Sequence, residues 1–326
     1  MNRRKIGIGA AIGLVVGALT GCTPSGVNSS ASEDGLQTVR VAYSKGSATL
    51  PVHLAQTQGI FEKHGLKIEA TYGTDFPTYI ATLGRQFDIS LGSAGNVFPA
   101  MTKLPVVAVA GMQVNVADPK NSVVVTNNPS INGIEDLVGK RIGVAIVTGA
   151  NPQSINYLLK QKGLDPASVQ YVQVGFAEQG DQLAAGNVDA VVSAIPFWSA
   201  LEQSGMRVIF DVYYEAAKAA TGAEESANAF WVSTEDYVKE KPGTVQAFHD
   251  ALAESIEFMH ENKEIAQKEL QEWLGMDEAL LKSAPIPAVS AEINKELLEP
   301  LLIISESNGV VKKGEINLDE HIWKKE

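Results

Sequence analysis

The sequence predicts an α/β fold with two lobes, each a mostly parallel sheet flanked by helices. Strand-like and helix-like segments alternate along most of the chain, a pattern typical of parallel strands connected by helices. The roughly 290 residues beyond the N-terminal segment are enough for two lobes rather than one. The alternation starts again near residue 126, and a strand-like run at 228–233 returns to the first block. We therefore expect a hinge made of two crossings.

The first block contains short strand-like runs separated by amphipathic segments. Residues 50–64 form an amphipathic segment that Gly65 ends, which is typical of a helix stopped by glycine. The predicted strands are 39–43, 66–72, 87–92, 106–112 and 122–126, and the predicted helices are 50–64 and 77–84. Lobe I is predicted to consist of residues 38–125 and 228–326.

The second block, residues 126–227, is predicted to form lobe II. Its predicted strands are 141–146, 169–174, 188–193 and 208–210, with a helical turn at 134–138 and helices at 152–162 and 179–185. The predicted strand 188–193 is broken at residues 195–198. After the returning strand, the predicted helices are 244–262, 263–274 and 291–308.

The N-terminus has the features of a targeting segment. Arg3, Arg4 and Lys5 precede an apolar stretch, 6–19, that is shorter than the roughly 20 residues needed to cross a bilayer. The string that follows, L-T-G-C at 19–22, resembles the lipobox of bacterial lipoproteins. It implies a signal peptide at 1–21, a lipid on Cys22 and a flexible tether at 22–37. The alternative is an ordinary secretory signal in which Cys22 has no role.

Charge and cysteine content exclude several classes of protein. The net charge is −12, and removing the three basic residues at positions 3–5 makes it −15. An acidic chain without basic runs argues against nucleic-acid binding and against electrostatic docking on anionic lipid. Because Cys22 is the only cysteine, disulfides and thiolate metal clusters are excluded.

Loops rich in small polar residues follow three predicted strands and precede helices. Helix N-termini carry unpaired amide N–H groups and about half a positive charge, so they favour anions. The alternative is that these residues are only good N-caps. Because the loops come from both lobes, we predict that they contact a ligand in one cleft. The candidate residues are Ser44, Lys45, Ala48, Ser93, Ala94, Asn96, Thr148, Gly149, Ala150 and Asn151.

A fourth candidate segment follows the predicted strand 188–193. Pro196, Phe197 and Trp198 form a loop whose rings would stack on a flat or aliphatic ligand, as in pockets that are mostly apolar. The alternative, core packing at the edge of a lobe, is about as good for Phe197. Trp198 is the better candidate contact because it follows a proline in a loop on the cleft side.

Catalytic and metal-binding patterns are missing from the sequence. The string G-S-A-G at 92–95 lacks the G-x-S-x-G spacing of a nucleophilic serine. The five histidines do not lie at predicted strand ends, and no H-E-x-x-H string occurs. We therefore predict a protein that is not an enzyme and binds no metal or cofactor. The alternative is a pair of catalytic carboxylates, because acids are abundant.

Four strings, in order along the chain, resemble one family. They are A-Q-T-Q-G-I-F-E-K-H-G-L at 55–66, L-G-R-Q-F-D at 83–88, D-L-V-G-K-R-I-G-V at 136–144 and L-A-A-G-N-V-D-A at 183–190. The second string departs from the family pattern because its glycine is displaced. The chain resembles the solute-binding proteins of ABC importers of the nitrate, sulfonate and taurine type, which also include binders of thiamine precursors.

The resemblance implies a periplasmic-binding-protein type II fold that closes on a small solute. It implies an ABC permease and its ATPase subunit as partners, a monomeric state and an extracytoplasmic location on the cell membrane. The loops around Ser44, Ser93, Thr148 and Pro196 would then line the cleft. A sulfonate-like or carboxylate-like anion is expected. The alternatives are a pyrimidine-like or other neutral or zwitterionic solute, a sensor domain that binds ligand for a receptor, and a secreted enzyme on the same fold.

Overall fold

The structure, a computed structural model, describes residues 35–275 and 285–325. The predicted signal peptide, the lipid site at Cys22 and most of the predicted tether therefore lie outside the described residues. Within the described part, the strands are β1 (Gln37–Tyr43), β2 (Leu66–Tyr72), β3 (Ile89–Ser93), β4 (Val106–Asn115), β5 (Ser122–Thr126), β6 (Arg141–Val144), β7 (Gln170–Gln173), β8 (Ala190–Ala194), β9 (Arg207–Asp211) and β10 (Ser226–Thr234).

These strands form two five-stranded sheets. The order is β2-β1-β3-β10-β4 in the first and β7-β6-β8-β5-β9 in the second. In the first sheet β10 runs antiparallel to both neighbours, and in the second β5 does. Each sheet therefore has one reversed strand among four parallel ones, which confirms the prediction of two mostly parallel sheets.

Helices cover both sheets. Those in the described residues are α1 (Leu50–Thr57), α2 (Ile60–Lys63), α3 (Phe76–Ala81), α4 (Ala94–Met101), α5 (Ala150–Gln161), α6 (Gln179–Ala184), α7 (Phe197–Gln203), α8 (Val212–Thr221), α9 (Glu235–Glu240), α10 (Pro242–Glu261), α11 (Lys263–Leu274) and α12 (Lys295–Ser307).

Several predicted boundaries differ from the structure. The single helix predicted at 50–64 is two helices, because Gly59 adopts a left-handed conformation with φ of 70° between them. Helices α8 and α9 were not predicted, and the interruption at 195–198 is the start of α7. Strand β5 lies within the range predicted for lobe I, yet it pairs with β8 and β9 of the second sheet.

Apolar side chains pack on both faces of each sheet. Along β1, Val39, Val41 and Tyr43 join one buried cluster and Ala42 joins the cluster on the opposite face. The same alternation occurs in lobe II, where Val124 and Val123 belong to different clusters. Successive side chains of a strand point to opposite faces, so helices on both faces keep these strands buried.

Two crossings and one helix connect the lobes. The first crossing, residues 116–121, joins β4 to β5, and the second, residues 222–225, joins α8 to β10. Helix α12 also spans both lobes: Leu298 and Leu301 pack in the core of lobe I, whereas Ile304 packs in the core of lobe II. The sequence analysis places the whole C-terminal tail in lobe I. Part of that tail, the C-terminal end of α12, also packs against lobe II.

Candidate functional site

A cavity of about 180 Å³ lies in lobe I, beyond the carboxyl ends of β1 and β3. Ligands of open α/β sheets bind at this edge. Three residues predicted from the sequence line the cavity, namely Ser44, Ala48 and Ser93. The remaining lining residues are Gly46, Thr49, Phe76, Leu91, Gly92, Met112, Gln113 and Ala229.

The loop after β1 is folded by its own hydrogen bonds. The hydroxyl of Thr49 donates to the carbonyl oxygens of Ser44, at 2.8 Å, and Gly46, at 3.0 Å. Residues 47–49 form a short 3₁₀ turn that leads directly into α1. Because its side chain is used inside the turn, Thr49 shapes this wall of the cavity.

The loop between β3 and α4 forms the opposite wall. Ser93 is the N-cap of α4, and its backbone N–H donates to Oδ1 of Asn96 over 2.9 Å. A Cβ on Gly92 would lie 2.4 Å from Cγ2 of Val97, so only glycine lets the strand pass this close to the helix. Asn96 thus acts as a helix cap, and Ala94 packs in the core of lobe I.

Strands β4 and β10 supply lining residues that the sequence analysis did not identify. Nδ2 of Asn228 donates to Oε1 of Gln113 over 2.8 Å. The Nε2 group of Gln113 has no hydrogen-bond partner within the described residues. Gln113 therefore brings an unpaired donor to a wall that also contains the apolar side chains of Met112 and Leu91. Only the pairing of β4 with β10 reveals this, because neither strand end has a distinctive sequence signal.

Lys45 lies outside the cavity, although its two chain neighbours line it. Its ammonium nitrogen is 4.9 Å from the ring centroid of Tyr72 and 5.9 Å from that of Trp273. Such cation–π contacts hold a cation against aromatic faces. Within the described part of the chain, no charged side chain lines the cavity.

An aromatic cluster surrounds this lysine. The rings of Tyr43 and Tyr72 are 5.1 Å apart, and Trp273 stacks on His53 with 4.4 Å between centroids. Burial lowers the pKa of His53, the hydrogen bond to Glu269 acts in the opposite direction, and the charge of Lys45 lowers it further. The cluster joins β1, β2, α1 and α11 beside the cavity.

The predicted loop of lobe II begins α5. Thr148 is exposed, Gly149 is the N-cap, and Ala150 is the first residue of the helix. The Oδ1 atom of Asn151 accepts a hydrogen bond from the hydroxyl of Ser122 over 3.1 Å. These four residues are near the point where the lobes meet, but they do not line the cavity of lobe I.

The two lobes touch at the edges of the cleft. A Cβ on Gly95, in the first turn of α4, would lie 3.3 Å from Nε2 of Gln153 in α5. The hydroxyl of Ser47 donates to the carbonyl oxygen of Ile195 over 3.4 Å. The structure therefore brings the predicted loops of both lobes to opposite sides of one cleft.

The segment after β8 takes part in packing. Pro196, preceded by a cis peptide bond, lines a small apolar cavity together with Leu50 and Leu270 of lobe I. Phe197 stacks on Phe176 with 5.3 Å between centroids. Trp198, predicted to contact a ligand, is half-buried and packs against the core of lobe II. Its indole Nε1–H is buried and has no hydrogen-bond partner among the described residues.

Within residues 35–275 and 285–325, no group of three or more His, Cys, Asp or Glu side chains is arranged to hold a metal ion. No helix in that same part combines the length and the apolar composition needed to cross a membrane.

The two lobes and the cleft between them define a periplasmic-binding-protein type II fold. Residues 47–266 match the family model described as NMT1/THI5 like, and the chain belongs to that family. A curated relative, the putative thiamine biosynthesis protein of Haemophilus influenzae, is 29% identical over 144 residues, which cover 43% of this chain. The match spans less than half, 44%, of the length of that relative.

Solved structures share the fold at low sequence identity. The periplasmic aliphatic sulphonate binding protein of Escherichia coli has a TM-score of 0.70 and 19% identity, covering 88% of this chain and 97% of that chain. The alkanesulfonate-binding protein of Xanthomonas axonopodis pv. citri, bound to MOPS, has a TM-score of 0.68 and 18% identity, and the match covers 88% of this chain and 98% of that chain. The desulfurization enzyme DSZB has a TM-score of 0.61 and 15% identity, and the match covers 87% of this chain and 96% of that chain.

Proposed function

We propose that the protein is the extracytoplasmic solute-binding component of an ABC importer and performs no covalent chemistry. The observation that carries the proposal is the small cavity at the strand ends of lobe I, beside the first turn of α4, which approaches Gln153 of α5 in lobe II. Similar folds named as periplasmic binding proteins support it.

The proposed solute is a small organic anion, sulfonate-like or carboxylate-like. Its charged group would meet amides at the N-terminus of α4, next to Ser93, and the Nε2 group of Gln113, which donates to no other described residue. Its organic part would rest on the apolar side chains of Phe76, Leu91 and Met112. Neutral donors bind an anion well when they are already oriented and held, as the capped helix and the paired glutamine are here.

Closure would add the contacts from lobe II. In this proposal Thr148, Gly149, Ala150 and Asn151 approach the solute as the lobes rotate about the two crossings, while residues 196–198 form the adjoining wall. A solute stabilises the closed state only if it binds that state better than the open one. Contacts from both lobes provide this difference in affinity.

A neutral solute, such as a pyrimidine related to thiamine precursors, is the second candidate. Two observations favour it: the cavity lining has no charged side chain within the described part of the chain, and one relative is named as a putative thiamine biosynthesis protein. A secreted enzyme on the same fold is a third candidate, because DSZB shares the architecture.

The proposed partners are a membrane permease and its ATPase, which would receive the solute from a monomeric binding protein. We further propose that a lipid on Cys22 holds the protein at the outer face of the membrane. Replacing Cys22 with Ser should move the protein from the membrane fraction to the soluble fraction. Equal distribution of both forms would contradict lipidation.

A thermal-unfolding screen tests the proposed solute class. The panel contains alkanesulfonates, taurine, carboxylates, nitrate and pyrimidines, and each is also tested for turnover. A true ligand at a hundred times its dissociation constant adds about 2.7 kcal/mol of stability. We expect sulfonates or carboxylates to stabilise the protein most. Stabilisation by pyrimidines alone would favour the second candidate, and turnover would favour the enzyme.

The Gln113→Leu variant tests the cavity itself. Losing a hydrogen bond to a charged group costs about 1.5–3 kcal/mol, so affinity should fall by about tenfold or more. The matched control is Gln161→Leu, at the exposed end of α5. If both variants bind the ligand as tightly as the wild type, the cavity is not the binding site.

A further inference from the structure

Buried polar side chains are concentrated where the chain passes between the lobes. Asn115, Asn121, Ser122, Asp211 and Ser226 are each at most 4% exposed. Such groups are tolerated in an interior when they form hydrogen bonds. The hydrogen-bond partners of these five side chains show which parts of the two lobes they hold together.

Asn121 connects the first crossing to lobe I. Its Nδ2 donates to the carbonyl oxygen of Val114 at 2.7 Å and to Oδ1 of Asn115 at 3.2 Å. Asn115 in turn donates from Nδ2 to the hydroxyl of Ser226 over 3.1 Å. Val114 and Asn115 end β4, and Ser226 begins β10, so this one carboxamide is linked to the lobe I ends of both crossings.

The backbone of the same residue is anchored to lobe II. Oδ2 of Asp211 accepts hydrogen bonds from the N–H groups of Asn121, at 2.6 Å, and Ser122, at 3.1 Å. Oδ1 accepts from the N–H groups of Tyr213 and Tyr214, which start α8. One buried carboxylate thus fixes the first residues of lobe II and caps a helix of that lobe.

Two segments of the cleft are one hydrogen bond away from this anchor. The hydroxyl of Ser122 donates to Oδ1 of Asn151 at the start of α5. The carbonyl oxygen of Asn121 accepts from the N–H of Ile195 over 3.2 Å, and the carbonyl of Ile195 meets Ser47 across the cleft. Asn121 and its chain neighbour Ser122 therefore connect the anchor to both lobe II edges of the cleft.

The side chain of Asn121 is only partly satisfied. Its Oδ1 atom is buried and has no hydrogen-bond partner within residues 35–275 and 285–325. A buried acceptor without a partner is costly and calls for an explanation. The two Nδ2 bonds join the first crossing to the end of β4 and so favour this lobe arrangement, and the unpaired oxygen offsets only part of that gain.

We propose that Asn121 is a positioning residue of the hinge, which biases the solute-free protein toward the lobe arrangement described here and holds the lobe II cleft segments in place. The inference deepens the proposed closure of the cleft on a solute, and it rests on that function. It requires no knowledge of which solute binds.

Small-angle X-ray scattering of the solute-free protein tests this role. The variants are Asn121→Ala and Ser226→Ala, each in the full chain with Cys22→Ser so that all samples stay in solution. We expect a larger radius of gyration for Asn121→Ala and a smaller change in the same direction for Ser226→Ala. A destabilising substitution without a role at the hinge would lower the melting temperature and leave the scattering of the folded protein unchanged.

The matched control is Asn127→Ala. Asn127 follows the other end of β5, and its Nδ2 donates to the carbonyl oxygen of Leu183 within lobe II. We expect its scattering to superimpose on that of the parent. The proposal is overturned if folded Asn121→Ala scatters as the parent does or if Asn127→Ala expands equally. If Asn121→Ala does not fold, unchanged scattering of Ser226→Ala overturns it. None of these outcomes depends on the solute screen, so the two proposals fail separately.

Discussion

Asp88 and Asp189 occupy equivalent positions in two of the strings that resemble the family. Oδ2 of Asp88 accepts from the backbone N–H of Arg40 at 2.8 Å and from its Nε at 3.0 Å. Asp189 binds Arg141 in the same way, at 2.8 and 3.1 Å, and this side-chain hydrogen bond lowers the pKa of Asp189. The aspartates therefore attach one strand to the start of another. These strings predict the fold because their aspartates hold its strands together. They give little information about the ligand.

The sequence could predict parts of the candidate site but not its full lining. Ser44 and Ala48, in the loop after β1, and Ser93, at the end of β3, line the cavity because they lie at strand ends, and a strand end is visible in a sequence. Gln113 and Ala229 reach it through the pairing of β10 with β4. That pairing joins segments more than a hundred residues apart, so no local pattern indicates it.

His53 makes a pH-dependent contribution to stability. Its folded-state pKa is lowered mainly by burial. The contribution is complete above the ordinary value of about 6.5 and is lost as pH falls below that value through the lower folded-state pKa. We expect the free energy of unfolding of the wild type to fall more between about pH 7.5 and 5.5 than that of His53→Gln.

Urea unfolding at several pH values measures this difference. His260→Gln, at the exposed end of α10, is the control for the loss of a histidine side chain. Parallel pH profiles for wild type and His53→Gln would contradict the assignment.

At the scale of elements, the outer edge of β4 is covered by residues 288–291, which lie just before and at the start of a predicted helix. The N–H of Gly111 donates to the carbonyl of Ala291 at 2.7 Å, and the N–H of Ser290 donates to that of Met112 at 3.0 Å. Residues 288–291 therefore pair with the strand, and α12 starts later than predicted. Local propensity does not reveal this, because the partner strand is far away in sequence.

Gly111 is required for that close approach. A Cβ at this position would lie 2.2 Å from the carbonyl oxygen of Glu292 and 2.6 Å from that of Ser290. Both are backbone atoms, so the covering segment must shift. We expect Gly111→Ala to lower the free energy of unfolding by about 1–3 kcal/mol and to weaken solute binding, since Met112 and Gln113 line the cavity.

Urea unfolding and the solute screen test this prediction together. The control is Gly243→Ala in the first turn of α10, where a new Cβ would meet no atom within 4 Å. Alanine is the better helix former, so this variant should be slightly more stable than the wild type. A Gly111→Ala protein as stable as the control would show that the edge segment adjusts freely.

At the scale of the whole molecule, α12 is a third connection between the lobes. Nδ2 of Asn308, just after the helix, donates to the carbonyl oxygen of Gln153 in α5 at 2.8 Å and to that of Ile304 at 3.0 Å. Nζ of Lys160 donates to the carbonyl oxygen of Ser307 at 2.6 Å. The C-terminal end of α12 is therefore attached to the helix that begins at the cleft.

Asn308→Ala should reduce stability more than a similar change elsewhere. Asn262 is a matched control, because its Nδ2 also donates to the carbonyl four residues earlier, at 3.0 Å. Asn308 has the additional bond to lobe II, and a neutral hydrogen bond contributes about 1 kcal/mol. In urea unfolding, we expect Asn308→Ala to lower the free energy of unfolding by about 1 kcal/mol more than Asn262→Ala does. Equal losses would mean that the contact between lobes contributes nothing.

The sequence alone determined the two-lobed α/β class, the run of most strands and helices, and two of the loops around the cavity. These depend on hydrophobic periodicity and on glycine and capping residues, which act over a few positions. Tertiary structure decided that Trp198 packs against the core of lobe II, that β5 pairs in the second sheet, and that Gln113 reaches the cavity. Each of these depends on which distant segments become neighbours, and that is settled only when the whole chain buries its apolar surface.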